Sequence, residues 1–286
     1  MKVESFYDTD TSTFTHIVID ESTKKCAVID SVLDYDQFSG KITTKNADRV
    51  IKYIKDNGLT NEWLLETHIH ADHITGAFYL KDHIGGKTAI GTGIKDVLKT
   101  WVPLFETDGD TPLTGEQFDQ LFKDGEKFKI GNLDVEVLHT PGHTPACATF
   151  KIGNAIFVGD TIFNPNLGTA RCDFPGGSAE DLYDSIQKFY KMPDDTVMYL
   201  CHDYPKDGDA PLVKITVGEQ KTNNKMIKAN TTKEEFVKKR KERDDTLAVP
   251  KLLLPSIQTN MRLGSFGPKS ANGVQYIKIP IKFDPK

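Results

Sequence analysis

Residues 67–77 read "THIHADHITGA", so His68, His70, Asp72 and His73 fall within six positions of a chain that has only eight histidines. A polar cluster this dense, set just after the apolar run "WLLET", costs solvation free energy unless something binds it. Two further histidines stand in short motifs downstream, His143 in "TPGHT" and His202 in "CHDY", and Asp160 follows the apolar "IFVG". Together these are seven imidazole and carboxylate donors. Such a set suits Zn, Fe or Mn better than Cu(I), which prefers sulfur. On a loop after a strand, H-x-H-x-D-H lets alternate side chains point to one place while the last two begin a helix. His16 and His83 lack such company and read as ordinary surface or core imidazoles. His139, four residues before His143, is either a core residue or a support for a ligand.

Those donors need a scaffold. The chain has 286 residues, 38% apolar and 27% charged, which is globular composition with enough length for a sizeable core. A net charge of −5 argues against a general nucleic-acid binder. The first residues have no basic start followed by an apolar stretch, and no run approaches the roughly 18 apolar residues of a membrane span. Cys26, Cys147, Cys172 and Cys201 are widely spaced and never form a C-x-x-C pair, so neither a disulfide framework nor a zinc ribbon is expected. A reducing, cytoplasmic setting fits best. Cys172 and Cys201 flank the motifs, as buried small hydrophobes or as redox groups.

"TFTHIVID" and "KKCAVID", separated by "ESTK", read as a hairpin, and "VLDYDQFSGKITTKN" as a loop. "ADRVIKYIKDNGL" places Val50, Ile51 and Ile54 on one helical face with Asn-Gly as its stop. "EWLLET" is a buried strand, "ITGAFYLKDHIGG" a helix, "KTAIG" a strand and "IKDVLKTWVPLF" a helix. Strands follow in "EKFKIGNLDVEVLHT", "CATFKIG" and "AIFVGD", then a Ser-capped helix from Ser178 to Pro193 and a strand in "TVMYLCHDY". Each histidine-bearing loop thus follows a strand end, where sites gather in layered α/β folds. Beyond residue 206 a helix starts near Thr231 or Thr232, with "KKRKER" as its solvated face, and "VQYIKIPIKF" alternates like a terminal strand. One domain spanning 1–286, with 206–286 as a C-terminal extension, is the expected organisation.

With these residues in hand, "THIHADH", "TPGHT", "VGDT" and "CHDY", in this order, resemble the metallo-β-lactamase superfamily over roughly residues 12–205. The resemblance implies an α/β fold, the αβ/βα four-layer sandwich of two mixed β-sheets flanked by helices, with a metal site at one edge. Two branches compete. Glyoxalase II is a thiolester hydrolase whose two metals use all seven donors. Persulfide dioxygenase uses a single Fe(II), although it keeps the same seven residues. "GDTIFNPNLGTARCDFPGG" is similar to the dioxygenase pattern, in which Arg-x-Asp-Phe follows the metal aspartate.

By that resemblance His68, His143 and Asp160 hold one Fe(II) per chain and carry catalysis. His70, Asp72, His73 and His202 would complete a second site for two Zn, Fe or Mn ions. Arg171 and Tyr204 fall where the family contacts glutathione, and Asp173 and Asp203 stand behind the ligands. Two histidines and a carboxylate form a facial triad with open positions, as O2 chemistry requires. The implied partners are O2 and a small-molecule persulfide, glutathione-based, with no nucleic acid and no membrane; "LLLPS" covers either the chain's own core or a partner subunit, which leaves a homo-oligomer open. "RCDF" stands where the family usually has "RTDF", and the 32–46 loop and the tail are long for that branch.

Overall fold

The computed structural model describes residues 1–206, 208–281 and 283. Its strands are β1 (Lys2–Asp8), β2 (Thr13–Asp20), β3 (Lys25–Ile29), β4 (Val32–Asp36), β5 (Lys41–Thr43), β6 (Thr60–Leu65), β7 (Ile74–Thr75), β8 (Lys87–Gly91), β9 (Gln120–Phe122), β10 (Lys127–Ile130), β11 (Leu133–His139), β12 (Ala148–Ile152), β13 (Ala155–Phe157), β14 (Val197–Tyr199) and β15 (Lys214–Thr216). The helices are α1 (Lys45–Asp56), α2 (Ala77–Ile84), α3 (Ile94–Phe105), α4 (Ala179–Tyr190), α5 (Val217–Asn223), α6 (Lys233–Asp244) and α7 (Leu253–Asn260).

Two six-stranded sheets run in the orders β1-β2-β3-β6-β8-β9 and β10-β11-β12-β13-β14-β15, and both mix parallel with antiparallel pairs. Side chains of a strand alternate between faces, and here both faces are buried. In β2 and β3, Ile17, Ile19, Cys26 and Val28 pack under α1 and α2, whereas Val18, Ala27 and Ile29 meet Val135, Val137 and Phe150 of the second sheet. In β13, Phe157 faces the first sheet while Ile156 faces α4 and α6 through Leu182, Ile186 and Phe236. Sheets face each other and helices cover both outer sides, as the four-layer expectation requires.

Four expectations are corrected. Asp72 and His73 do not begin a helix: Ile74–Thr75 form β7, and α2 starts only at Ala77. Residues 32–43 are not a loop: β4 and β5 form a hairpin, and β4 also pairs with β7. Its turn is made by Asp36, whose carboxylate accepts from Phe38 N and Ser39 Oγ, and by Gly40 at φ +68°. The described part of "VQYIKIPIKF" forms no strand; the Lys278 N–H and C=O are taken by the Gln258 side chain instead of by a strand edge, and Lys282 lies outside the described residues. "KKRKER" is not wholly solvated, because Arg240 is buried in an ion pair with Asp244. The α6 cap falls where expected, at Thr232, as a reciprocal capping box with Glu235.

His16 is a core residue. It bonds Ser5 Oγ and the Leu200 carbonyl, and burial holds it neutral, with its pKa lowered to about 4. An unfolded chain takes up this proton near pH 6.5. Stability is therefore expected to fall as pH drops from about 6.5 towards 4, by up to roughly 3 kcal/mol from this group. Urea unfolding measured across that window should lose much of its slope in His16→Gln; an unchanged slope would remove His16 from the explanation.

Candidate metal centre

Every donor leaves a strand end. β3 ends into Asp30, β6 runs into Glu66-Thr67-His68, β11 leads to His143, β13 to Asp160 and β14 to His202. Thr67 pins the first loop by giving its N–H and Oγ1–H to the two oxygens of Asp30, each at 2.8 Å. Gly159 sits at φ +52° beside Thr67, where a Cβ would meet Thr67 Oγ1 at 2.5 Å, so the Asp160 loop can approach only as glycine.

The seven donors expected from sequence converge. His68, His143 and Asp160 form one group whose ligand atoms lie within 4.8 Å of one another, and His70, Asp72 and His73 form another. Asp160 joins the halves. Its Oδ2 is 3.8 Å from Nε2 of both His68 and His143, and its Oδ1 is 3.2 Å from His202 Nε2. His202 Nε2 also lies 3.5 Å from Asp72 Oδ2.

Second partners orient the rings. His143 Nδ1 gives its hydrogen to the Arg171 carbonyl at 2.8 Å, and His202 Nδ1 meets the Ser12 carbonyl at 3.1 Å, which leaves Nε2 of each ring facing inward. His70 is turned the other way. Its Nε2 lies 3.1 Å from Asp30 and 3.2 Å from Glu66, so Nδ1 faces the site. Burial alone would suppress its protonation, but the two carboxylates raise its pKa well above the usual value. Glu66 is pushed up by burial. Burial likewise opposes ionisation of Asp160, yet His202, His68 and His143 hold it as a carboxylate below the usual range.

A metal fits this chemistry. His68 Nε2, His70 Nδ1, His73 Nε2, His202 Nε2 and Asp160 Oδ1 are buried and have no hydrogen-bond partner among the described residues. Each such atom costs about 1–3 kcal/mol if left uncompensated. Five of them aimed into one place are the donor pattern of a metal site.

The remaining expected residues are placed differently. Arg171 gives Nε and Nη2 hydrogens to Asp173, both at 2.6 Å, donates Nη1 to the Ala248 carbonyl and lies over the Phe174 ring. Asp173 therefore serves Arg171, and Phe174 packs edge-on against His143 with centroids 5.3 Å apart. Asp203 accepts from Asn164 Nδ2 and Leu212 N. Tyr204 is 53% exposed and stacks near His202. With Asp72 it lines a groove of about 950 Å3 that the β4–β5 hairpin, Lys45, Arg49 and Lys251 also line. His139 is half-buried and bonds the Phe122 carbonyl; Cys172 and Cys201 are both buried. The sequence reading missed Asp30, Glu66 and Asn260. A carboxylate closing an apolar strand was the available signal for the first two; Asn260 offered none.

This constellation is that of a known family. Residues 10–202 match the metallo-beta-lactamase superfamily, and the chain belongs to it. It is 52% identical over 99% of its length to "Glyoxylase B2" of Dictyostelium discoideum, covering 97% of that protein. It is 31% identical to the human "Persulfide dioxygenase ETHE1, mitochondrial", over 79% of this chain and 75% of that one. Among solved structures, ETHE1 from Myxococcus xanthus superposes with a TM-score of 0.73 at 27% identity, covering 93% of this chain and 100% of that one. No described helix is long and apolar enough to cross a membrane.

Proposed function

We propose that the protein is an Fe(II)-dependent persulfide dioxygenase. It oxidises glutathione persulfide, or a related low-molecular-weight persulfide, consuming one O2 and one water per persulfide and releasing thiol and sulfite. The observation that carries this reading is the Arg171–Phe174 hook. This is the segment by which the chain resembles the dioxygenase branch, and its carbonyl and its aromatic ring both bear on His143. The likeness to the human and Myxococcus proteins supports it.

His68, His143 and Asp160 would hold one iron, which supplies a redox centre with open positions for O2 and a sulfur anion. The Arg171 carbonyl keeps the His143 proton on Nδ1. Asp173 accepts two of the five guanidinium hydrogens and Ala248 a third, so Arg171 keeps two for a carrier carboxylate. Tyr204 and the groove it lines are of a size for a tripeptide thiol, since small-molecule pockets run to about 300–1,000 Å3.

A second reading, a glyoxalase II-like thiolester hydrolase with two metals, is favoured by the inward-facing His70, His73 and His202 atoms and by the likeness to the Dictyostelium protein. Two metals would supply an activated water as nucleophile. Anaerobic Fe(II) loading, elemental analysis and paired assays separate the two. One iron per chain, with O2 uptake matched by sulfite release from glutathione persulfide, is the expected result. Two metals per chain with thiolester turnover and no O2 uptake would replace the proposal with the second reading.

A further inference from the structure

Residues 70–75 leave the β6 ladder and run through the protein interior before α2 begins; β7 pairs with β4 along one edge, and the remaining main-chain groups need other partners. One side chain, 190 residues away in sequence from His70, supplies three of those partners. Asn260, 2% exposed at the end of α7, donates Nδ2 hydrogens to the His70 carbonyl at 2.9 Å and to the His73 carbonyl at 2.8 Å; its Oδ1 accepts from Thr75 N at 2.9 Å. Only a carboxamide offers two donors and one acceptor in this arrangement.

The same contacts run in a ring about one ligand, with three hydrogen bonds and one ion-pair contact. His70 Nε2, bonded to Asp30, lies 3.2 Å from Glu66 Oε2 as an ion-pair contact, Glu66 Oε1 accepts from Thr75 Oγ1 at 2.5 Å, Thr75 N goes to Asn260, and Asn260 returns to the His70 carbonyl. His70 is thus held by its ring and by its backbone in one circuit. The helix end that carries Asn260 is itself fixed. Ile257, Met261 and Leu263 pack with Ile69, Ala71 and Ala77, Phe78 N bonds the Leu263 carbonyl, and Gly264 passes so close to the Thr75 carbonyl that a Cβ would lie 2.0 Å from it.

We propose that Asn260 is a positioning residue of the metal centre, setting the separation of His70 from His73 so that the inward atoms of both address the same ion or ion pair. It lies outside residues 10–202, the span that matches the superfamily, so the C-terminal segment takes part in building the site. The proposal rests on the reading of the 67–75 loop as metal-binding, but not on which reaction the metal serves.

The test is Co(II) titration of the full chain against a competing chelator, with visible absorption as a reporter of ligand geometry. Asn260→Asp keeps size and the acceptor for Thr75 N, but sets a carboxylate oxygen against two carbonyls. Weakening of at least one bound ion by about 10–100-fold, with an altered absorption band, is expected. Ile257→Ala is the control for packing: it removes core contacts of the same helix without touching the loop backbone. It should lower Tm while leaving affinity and spectrum as in the wild type. Should Asn260→Asp fail to fold, Asn260→Ser is judged by the same readouts. Unchanged affinity and spectrum in the Asn260 variant would overturn the proposal, as would an equal metal loss in Ile257→Ala. A wild type that binds metal but consumes no O2 overturns only the dioxygenase reading; one that binds no metal overturns both.

Discussion

Asp160→Ala is expected to lose metal and activity together, by roughly a thousandfold or more in rate. Among the described residues, Asp160 is the one carboxylate within 4.0 Å of all three of His68, His143 and His202, and its two oxygens face different halves of the site. Removing it leaves the imidazoles without the negative charge that balances a dication. It also deletes the carboxylate of the proposed triad. A metal contributes several kcal/mol to the reaction it assists, and each 1.4 kcal/mol is about tenfold in rate. Asp72→Ala is the informative partner. Asp72 lies on the His73 and His202 side and accepts from Thr13 Oγ1, away from His68 and His143. If one iron sits among His68, His143 and Asp160, Asp72→Ala keeps it and retains measurable O2 uptake. Elemental analysis of both variants after identical loading decides. Equal metal loss would mean that the seven donors act as one two-metal unit, and would favour the hydrolase.

The donors were legible because they are chemically costly. Buried imidazoles and carboxylates clustered after apolar strands have few other uses, and each strand end delivered its residue to the expected place. The α1 face and the Thr232 cap were legible for a similar reason, since helical spacing and capping chemistry are local. What could not be read was non-local. The β4–β5 hairpin interrupts its apolar Val32, Leu33 and Ile42 with charged residues, and its turn rests on the Asp36 side chain rather than on an Asn-Gly signal. The tail alternates like a strand, yet the Lys278 N–H and C=O are taken by the Gln258 side chain. Arg240 sits in a basic run but is drawn inward by Asp244 and the Thr169 carbonyl. "RCDF" suggested a ligand-binding arginine; the fold adds that its carbonyl orients His143 and that Asp173 and Ala248 occupy most of its guanidinium.

Gly142→Ala should be among the most destabilising single substitutions in the chain, and it should damage His143 with it. Pro-Gly before His143 signals a sharp turn, but the fold shows why no other residue serves. Gly142 has φ +141°, and a Cβ there would lie 2.4 Å from Leu182 Cα and 2.5 Å from Leu182 N. Those are backbone atoms of α4, which cannot swing aside as a side-chain tip could. The turn is also tied to that helix, since Ser178 N donates to the Gly142 carbonyl and Ser185 Oγ to the Pro141 carbonyl. Backbone strain of about 1–3 kcal/mol and overpacking of about 1–3 kcal/mol together give roughly 2–6 kcal/mol. That is a large share of the 5–15 kcal/mol that typically holds a domain folded. Gly153→Ala separates the two terms. It lies in the β12–β13 turn at φ +58° with nothing within 4 Å of the new Cβ, so only the left-handed backbone cost of about 1–2 kcal/mol applies. Urea unfolding of the two variants beside the wild type should show the larger shift in Gly142→Ala, accompanied by weaker metal binding in that variant alone. Equal shifts would mean that α4 yields to the methyl group and that the turn is not locked against it.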